Sequence, residues 1–388
     1  MVTEFESLTA GERYRSLAAV TACTAVAGIT MGLTWPLLAL ILDHQGVSGT
    51  LIGFSSASQS LAIFITALLA PRAISRYGLV RTILGCVAIT VAMLVLLSLW
   101  RNLYAWFPLR FLLGASTTTL FIATEIWVAT ACLEETRGRV MGVFGLLWAA
   151  GFATGPLIIR FTGIEGWGPF LVGIALVLIA AAPLRLAVKI APRLASRGRV
   201  SIFAVVWTLP GAALAWLLLG AVDYILDGFL PLYAMARGMS QATAVTLLTV
   251  LLAGVTVAQA PCGWLADRMD RQLLLSALTA VAAVSGLMLP LIATDSALLL
   301  ALVIALGSAL GGIWTVSMVL IGEHFQGTQL ASAYSAGGVL HGVGMIAGPV
   351  LAGWAMEAWD PIAIPLIVGG CCVLYLPVTL LRRRRHPV

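Results

Sequence analysis

Charged side chains are scarce in this sequence. Its 388 residues include 22 Lys and Arg and 16 Asp and Glu, together 10% of the chain, whereas 61% of the residues are hydrophobic. A typical soluble domain has about 25% charged and about 45–50% apolar residues, so too few charges are present to cover a core in water. A soluble enzyme and a disordered chain are both excluded, and we expect an integral membrane protein surrounded by lipid.

The sequence also lacks the patterns of metal, nucleotide and nucleophilic sites. It has no Cys-x-x-Cys pair, no nucleotide-binding loop and no evident pairing of a nucleophile with a base. The spacings Met235-x-x-x-Met239 and His341-x-x-x-Met345 would suit copper(I), but a pair without a further partner at a known distance is weak support for a metal. We therefore expect no enzymatic activity, metal or cofactor. The six cysteines are interpreted as small core residues: Cys23, Cys86, Cys132, Cys262, Cys371 and Cys372.

Twelve apolar segments of about 20 residues or more are each long enough to cross about 30 Å of hydrocarbon. They cover residues 16–42, 49–70, 79–99, 103–130, 139–161, 168–185, 204–235, 242–262, 272–293, 297–321, 328–355 and 361–381. An even number of spans puts both termini on one side. If that side is the cytoplasm, 18 Lys and Arg are cytoplasmic and three are outside, which is a strong positive-inside bias. The net charge of +6 is thus explained by topology, and we expect no nucleic-acid partner.

The two halves of the chain form an internal repeat. Four short matches share an offset of 192 or 193 residues: Gly46-Val47-Ser48 with Gly238-Met239-Ser240, Arg76 with Arg268, Gly114-Ala115-Ser116 with Gly307-Ser308-Ala309, and Gly155-Pro156 with Gly348-Pro349. Because each half has six spans, both copies begin on the same side, as parallel repeats do. The sequence predicts an all-α membrane protein with lobes at residues 1–185 and 204–388, joined by a basic cytoplasmic linker at 186–203.

A loop in the second half carries a family signature. Residues 263–271, Gly-Trp-Leu-Ala-Asp-Arg-Met-Asp-Arg, resemble the cytoplasmic-loop motif Gly-x-Leu-Ala-Asp-Arg-x-Gly-Arg of the major facilitator superfamily, with Asp270 where Gly is usual. The first-half copy at residues 71–78 is degenerate. Arg110-Phe111-x-x-Gly114, followed by Glu125, resembles the YcaD-like bacterial branch. The resemblance implies a monomeric transporter in the cytoplasmic membrane of a bacterium.

The resemblance also implies a cytoplasmic gate. In that family the loop carboxylate lies at the N-terminus of a helix from the opposite half, a favourable place for an anion. Asp267 is therefore expected to meet the start of the fifth span, near Gly138 and Arg139. The expected gate residues are Gly263, Asp267, Arg268, Arg271, Arg76 and Arg139.

Four ionisable residues fall at membrane depth, where such groups are costly and usually functional. Arg110 and Glu125 lie in the fourth span, and Asp223 and Asp227 lie in the seventh. The resemblance implies that both spans line the central cavity. We expect Glu125, Asp223 and Asp227 to carry protons, since a carboxylate in a low-dielectric environment favours its neutral form. Similar depths predict a pair between Arg110 and Asp227. The alternative is a buried polar network that only fixes helix packing.

Aromatic side chains and glycine motifs complete the candidate site. Rings in the cavity spans would form an apolar pocket able to bind an organic cation, or serve as anchors and packing. The expected cavity residues are Arg110, Trp35, Trp127, Trp216, Tyr224, Trp314 and His341, and Tyr233 is a further candidate ring. Gly151, Gly155 and Pro156 resemble a glycine-proline motif found in antiporters, and the motif is repeated at Gly348 and Pro349. A role in close helix packing explains the motif equally well.

The sequence thus predicts a secondary transporter that works by alternating access, with a small-molecule substrate, protons and membrane lipids as partners. Proton-coupled efflux of amphipathic compounds is the first interpretation. Uptake or exchange of a small organic anion, with Arg110 as its ligand, is the second. A membrane sensor that does not transport is the alternative of another class.

Overall fold

The computed structural model describes residues 10–131, 137–186, 209–294, 296–325 and 327–380. In these ranges the chain forms twelve α-helices and two short 3-10 turns, Ala182–Leu186 and Leu289–Leu291. The helices are α1 Ala10–His44, α2 Gly49–Tyr77, α3 Leu79–Leu99, α4 Leu103–Ala131, α5 Arg137–Thr162, α6 Gly168–Ala181, α7 Pro210–Ala236, α8 Gln241–Ala266, α9 Arg271–Met288, α10 Ala297–His324, α11 Gly327–Ala358 and α12 Ala363–Leu380.

The described helices confirm the expected all-α membrane fold. Eleven of them contain a stretch long and apolar enough to cross a membrane, and α6 with the turn after it forms a shorter apolar segment, Gly168–Leu184. The helices start close to the predicted spans because a long apolar run can satisfy its backbone groups in lipid only as a helix. Several run a few turns beyond the apolar stretch; α2, for example, continues through Pro71 to Tyr77.

The chain divides into two compact units. The first comprises residues 1–45 and 58–196, and the second comprises residues 46–57 and 197–388. In the first unit α1 packs along α5, and in the second α7 packs along α11, α8 along α10 and α9 along α12. The predicted linker lies almost wholly outside the described residues, and the predicted lobe bounds stay a prediction.

The internal repeat appears in the atomic contacts of each unit. A Cβ at Gly28 in α1 would lie 2.3 Å from the carbonyl oxygen of Trp148 in α5. The equivalent Cβ at Gly220 in α7 would lie 2.0 Å from the carbonyl oxygen of His341 in α11. Gly28 and Gly220 are 192 residues apart, and Trp148 and His341 are 193 apart, the offsets of the sequence matches. The two units therefore share one pattern of helix packing.

A matched turn follows the first helix of each repeat. Gly46 and Gly238 both adopt a positive φ, 74° and 84° respectively. This left-handed conformation is easy only for glycine, which explains why both copies of the turn contain it. After Gly238, Ser240 caps α8 by accepting a hydrogen bond from the backbone N–H of Thr243 at 3.2 Å.

Candidate substrate and proton site

Four rings from α7, α10 and α11 form an aromatic cluster in the second unit. Trp216 stacks on Trp314 with 4.8 Å between ring centroids and on Tyr334 at 6.2 Å. His341 meets Trp314 edge to face at 5.7 Å. The indole N–H of Trp216 donates to Ser317 Oγ at 3.1 Å, which fixes the orientation of the buried ring. We call Trp216, Trp314, Tyr334 and His341 the ring cluster.

Two carboxylates lie on the helix that supplies Trp216. Asp223 and Asp227 follow Trp216 by seven and eleven residues, so all three side chains share one face of α7. Asp227 is only 6% exposed, and Asp223 is half-buried. Within the described part of the chain, neither carboxylate forms a hydrogen bond or an ion pair. A buried charge without a partner is costly, so these two acids stand out among the described residues.

The first unit provides an internal comparison for these carboxylates. At the repeat offset of 192, Asp227 corresponds to Trp35 and Asp223 corresponds to Met31. Trp35 is buried and packs against Phe152 with 5.3 Å between ring centroids. The first unit therefore builds the same helix packing without any acid at either position. Packing alone does not explain Asp223 and Asp227.

The other aromatic residues expected in the cavity are also buried: Tyr224 and Tyr233 on α7, and Trp127 on α4. Tyr224 is 8% exposed next to Asp223, and the hydroxyl group of the buried Tyr233 donates to the carbonyl oxygen of Leu289 at 3.1 Å. Trp127 is 0% exposed, and its indole N–H donates to Ser16 Oγ at 3.2 Å. The bonds of Trp127 and Tyr233 tie neighbouring segments together.

Arg110 and Glu125 lie on α4 in the first unit. Arg110 is 1% exposed, and its Nε donates to Gln59 Oε1 on α2 at 3.4 Å. Gly114 allows this approach, since a Cβ there would lie 2.6 Å from the carbonyl oxygen of Gln59. Glu125 is half-buried, one turn after Phe121. The pair between Arg110 and Asp227 stays a prediction.

An aromatic contact one turn before Glu125 resembles one in the second unit. Phe121 meets Trp148 edge to face with 6.1 Å between ring centroids, and its ring is tilted by 48° to that of Phe144 at 5.5 Å. At the repeat offset of 193, Phe121 corresponds to Trp314 and Trp148 corresponds to His341. Each unit thus has a carboxylate on a helix that contributes a ring to an aromatic contact: Glu125 on α4, whose Phe121 meets α5, and Asp223 and Asp227 on α7, whose Trp216 meets α11.

The glycine motifs bring helices into close contact. A Cβ at Gly155 would lie 2.0 Å from the carbonyl carbon of Gly32 in α1, and one at Gly151 would lie 2.8 Å from the carbonyl oxygen of Ala25. In the second unit a Cβ at Gly348 would lie 2.4 Å from the carbonyl oxygen of Ala221 in α7. Pro156 and Pro349 follow these glycines inside their helices. The geometry supports a packing role for both copies.

The cytoplasmic-loop motif connects α8 and α9. Asp267 is the exposed C-cap of α8, and the guanidinium of Arg268 lies 3.7 Å from the ring centroid of Trp264. Arg271 pairs with Glu323 at the end of α10. Gly263 precedes Asp267 in the last turn of α8.

Two expected gate residues lie in the first unit. The guanidinium of Arg76 lies 5.6 Å from the ring centroid of Tyr77. Arg139 lies in the first turn of α5, and its side chain is outside the described residues. The predicted meeting of Asp267 with that turn stays a prediction.

Some polar contacts near the site carry no strong sequence signal. Three uncharged polar residues contribute to these contacts: Tyr334 in the ring cluster, Ser317 bonded to Trp216, and Gln59 bonded to Arg110. Residues of this kind are common in membrane helices, so the sequence does not single them out. Asp270 stands out in the sequence only as a departure from the motif. Its carboxylate caps α9 by accepting a hydrogen bond from the backbone N–H of Leu273 at 2.9 Å, and a helix start after the loop is the signal that would have predicted it.

The sequence pattern of the Major Facilitator Superfamily matches residues 20–291 and 212–388. The chain belongs to the major facilitator superfamily. It is 21% identical over 342 residues to the uncharacterized MFS-type transporter YfkF of Bacillus subtilis, covering 87% of each chain. It is 24% identical over 356 residues to the uncharacterized MFS-type transporter YcaD of Escherichia fergusonii, covering 90% of this chain and 91% of that one. The expected resemblance to the YcaD-like branch is confirmed.

Solved structures share the fold. A mutant of the nucleoside transporter NupG superposes with a TM-score of 0.80 at 14% identity, covering 94% of this chain and 98% of that one. A bacterial homologue of the human lysosomal transporter Spinster superposes with a TM-score of 0.78 at 13% identity, covering 96% of each chain. The family match and the apolar helices together make the protein a multi-pass membrane transporter of this superfamily.

Proposed function

We propose that this transporter exports amphipathic organic cations across the cytoplasmic membrane in exchange for protons. The observation that carries the proposal is the pair Asp223 and Asp227, two membrane-depth carboxylates without a hydrogen bond or ion pair in the described part of the chain, on one helix face with Trp216 of the ring cluster. A bound proton neutralises such a carboxylate, and so does a bound cation.

Competition between these two ligands couples their movements. A carboxylate that holds a proton loses its attraction for an organic cation, and a bound cation stabilises the ionised carboxylate and expels the proton. The carboxylates attract the charge of the organic cation, and the ring cluster provides the rest of its binding site. Aromatic faces attract cations and bury the apolar part of an amphipathic molecule. Alternation between outward-facing and inward-facing states then exchanges one ligand for the other.

Glu125 is the second proton carrier in this proposal. It lies on α4 of the first unit, one turn after Phe121, which contributes a ring to a contact with α5, as Trp216 on the helix of the aspartates contributes one to a contact with α11. With a carboxylate in each unit, protonation can bias the balance between states as well as the affinity for the substrate.

Equilibrium binding tests the proposal without transport. Binding of tetraphenylphosphonium to the purified protein should weaken as the pH falls, since protons and the cation compete, whereas the neutral analogue triphenylphosphine oxide should bind weakly at every pH. Asp227→Asn should remove the pH dependence. Asp360→Asn is the matched control, because Asp360 is exposed and caps the next helix through the backbone N–H of Ile362 at 2.9 Å. Equal binding of both compounds, or unchanged pH dependence in Asp227→Asn, would contradict the proposal.

Exchange or uptake of a small organic anion is the second candidate. Arg110 is buried beside Gln59, whose amide nitrogen is buried without a hydrogen-bond partner among the described residues. A guanidinium and an amide N–H together provide the donors that a carboxylate prefers. Benzoate binding that is lost in Gln59→Leu, together with no binding of tetraphenylphosphonium, would favour this candidate.

A further inference from the structure

Gly228 on α7 is buried but lies beside open space. A Cβ at this position would have no atom within 4 Å, apart from those of the adjacent residues and of its own helix backbone. Among the described glycines, it is the only buried one with this property. The adjacent side chains point about 100° away around the helix and do not fill this space. Gly228 therefore marks an open space inside the protein, directly after Asp227.

Pro231 removes the usual hydrogen-bond donor of the carbonyl oxygen of Asp227. In an α-helix each carbonyl oxygen accepts from the N–H four residues later. Pro231 lies inside α7, four residues after Asp227, and has no N–H to donate. Residues four apart share a face of the helix, so this carbonyl oxygen and the carboxylate of Asp227 lie on one side of α7. Two oxygen acceptors thus lie next to the space at Gly228.

The first unit has different residues at the matching positions of α1. At the repeat offset of 192, Asp227, Gly228 and Pro231 correspond to Trp35, Pro36 and Ala39. Trp35 and Pro36 are both buried. Two buried rings therefore stand where the second unit has a carboxylate and a residue without a side chain. The helix packing that both units share does not require an acid, a glycine and a proline in this order.

We propose that Asp227 and Gly228 form a subsite that selects protonated amines with at least two N–H groups. The inference rests on the proposed function and names the class of organic cation that the site prefers. One N–H donates to the carboxylate of Asp227 and another to its carbonyl oxygen, while the space beside Gly228 admits the ammonium group. A quaternary ammonium or phosphonium ion has no N–H, so charge and ring contacts alone hold it.

Three naphthylmethyl ammonium ions that differ only in their N-methyl groups test the subsite. The N-methyl, N,N-dimethyl and N,N,N-trimethyl ions have two, one and no N–H groups, and their binding to the purified protein is measured at neutral pH. Pro231→Ala supplies an N–H that pairs with the carbonyl oxygen of Asp227. It should weaken binding of the N-methyl ion by about fivefold, the value of one hydrogen bond, and leave the other two nearly unchanged. The cost of dehydrating each ion is the same for both proteins and cancels in this comparison.

A matched control and a second variant complete the test. Pro261→Ala should change none of the three affinities, since Pro261 also lies inside a helix, α8, but is exposed. Gly228→Val should weaken binding of all three ions, because its side chain occupies the open space without a clash. If Pro231→Ala does not fold, Gly228→Val decides the question.

The outcomes separate the subsite from the proposed function. Equal losses for the three ions in Pro231→Ala, no loss for the N-methyl ion, or unchanged binding in Gly228→Val would each overturn the subsite. If tetraphenylphosphonium still binds with the expected pH dependence, the proposed function survives that result. If tetraphenylphosphonium does not bind at all, the proposed function fails as well.

Discussion

Alanine substitutions at two glycines of α5, Gly155 and Gly145, test whether the glycine motif acts through close helix packing. At Gly155 a Cβ would lie 2.0 Å from the carbonyl carbon of Gly32, 2.2 Å from its oxygen and 2.2 Å from the backbone nitrogen of Leu33. Non-bonded heavy atoms are comfortable at about 3.5 Å, so α1 and α5 must separate locally by more than about 1 Å to admit the methyl. The atoms in the way are backbone, which cannot swing aside as a side chain can.

The expected cost of Gly155→Ala is about 3 kcal/mol, the upper part of the range for overpacking. Gly145 lies in the same helix, with open space within 4 Å of its Cβ position. Gly145→Ala should therefore stabilise the protein by up to about 1 kcal/mol through helix propensity. Thermal unfolding in detergent, followed by tryptophan fluorescence, should place the midpoint of Gly155→Ala roughly 5 °C or more below that of Gly145→Ala.

Transport activity gives this prediction a second readout. If the motif acts through packing, the loss of transport in Gly155→Ala should follow its loss of stability, and the equivalent change at Gly348, where a Cβ would meet Ala221, should have a similar effect. A Gly155→Ala protein that unfolds at the temperature of Gly145→Ala would refute the reasoning, because the close approach of α1 would then not constrain this position.

Two further predictions concern the cytoplasmic loop. Asp270→Ala should destabilise the protein by about 1 kcal/mol, because the cap on α9 is lost. Asp270→Gly, which restores the usual residue of the family motif, should cost only about 0.3 kcal/mol. Equal losses of stability in thermal unfolding would contradict the capping role. The partly exposed ion pair of Arg271 and Glu323 should contribute less than about 1 kcal/mol to the stability of the protein. A double-mutant cycle with Arg271→Gln and Glu323→Gln measures this coupling energy. A coupling well above that value would contradict the prediction.

The helices were predictable because membrane spans are long, apolar and separated by charged or turn-forming residues. The repeat was also predictable, since matched turns and close helix contacts require glycine at matched positions such as Gly46 and Gly238. The rotation of each helix about its own axis, which decides the side chains that face a neighbouring helix, was not predictable. Trp127 and Trp216 were both expected to face the cavity and both are buried, but Trp127 packs at Ser16, whereas Trp216 belongs to the ring cluster. Helices that are apolar all round give no moment from which a facing direction can be inferred.

The charged residues of the candidate site could be predicted from the sequence, but the uncharged residues next to them could not. Asp223 and Asp227 stand out because carboxylates at membrane depth are rare. Gln59 and Tyr334 do not, since uncharged polar residues are common in such helices. Comparison of the two units adds what the sequence alone lacked: a matched site, with Met31 and Trp35, that packs in the same way without acids.

Proton movement in proteoliposomes tests the proposed exchange of cations for protons most directly. The purified protein is reconstituted with a pH-sensitive dye inside, and tetraphenylphosphonium, triphenylphosphine oxide or benzoate is added outside, with Asp227→Asn and Glu125→Gln as variants and Asp360→Asn as the control. We expect proton movement that only the cation triggers, that either variant abolishes and that the control retains. Movement triggered by benzoate alone, or cation-driven movement that persists in Asp227→Asn, would contradict proton-coupled export of cations.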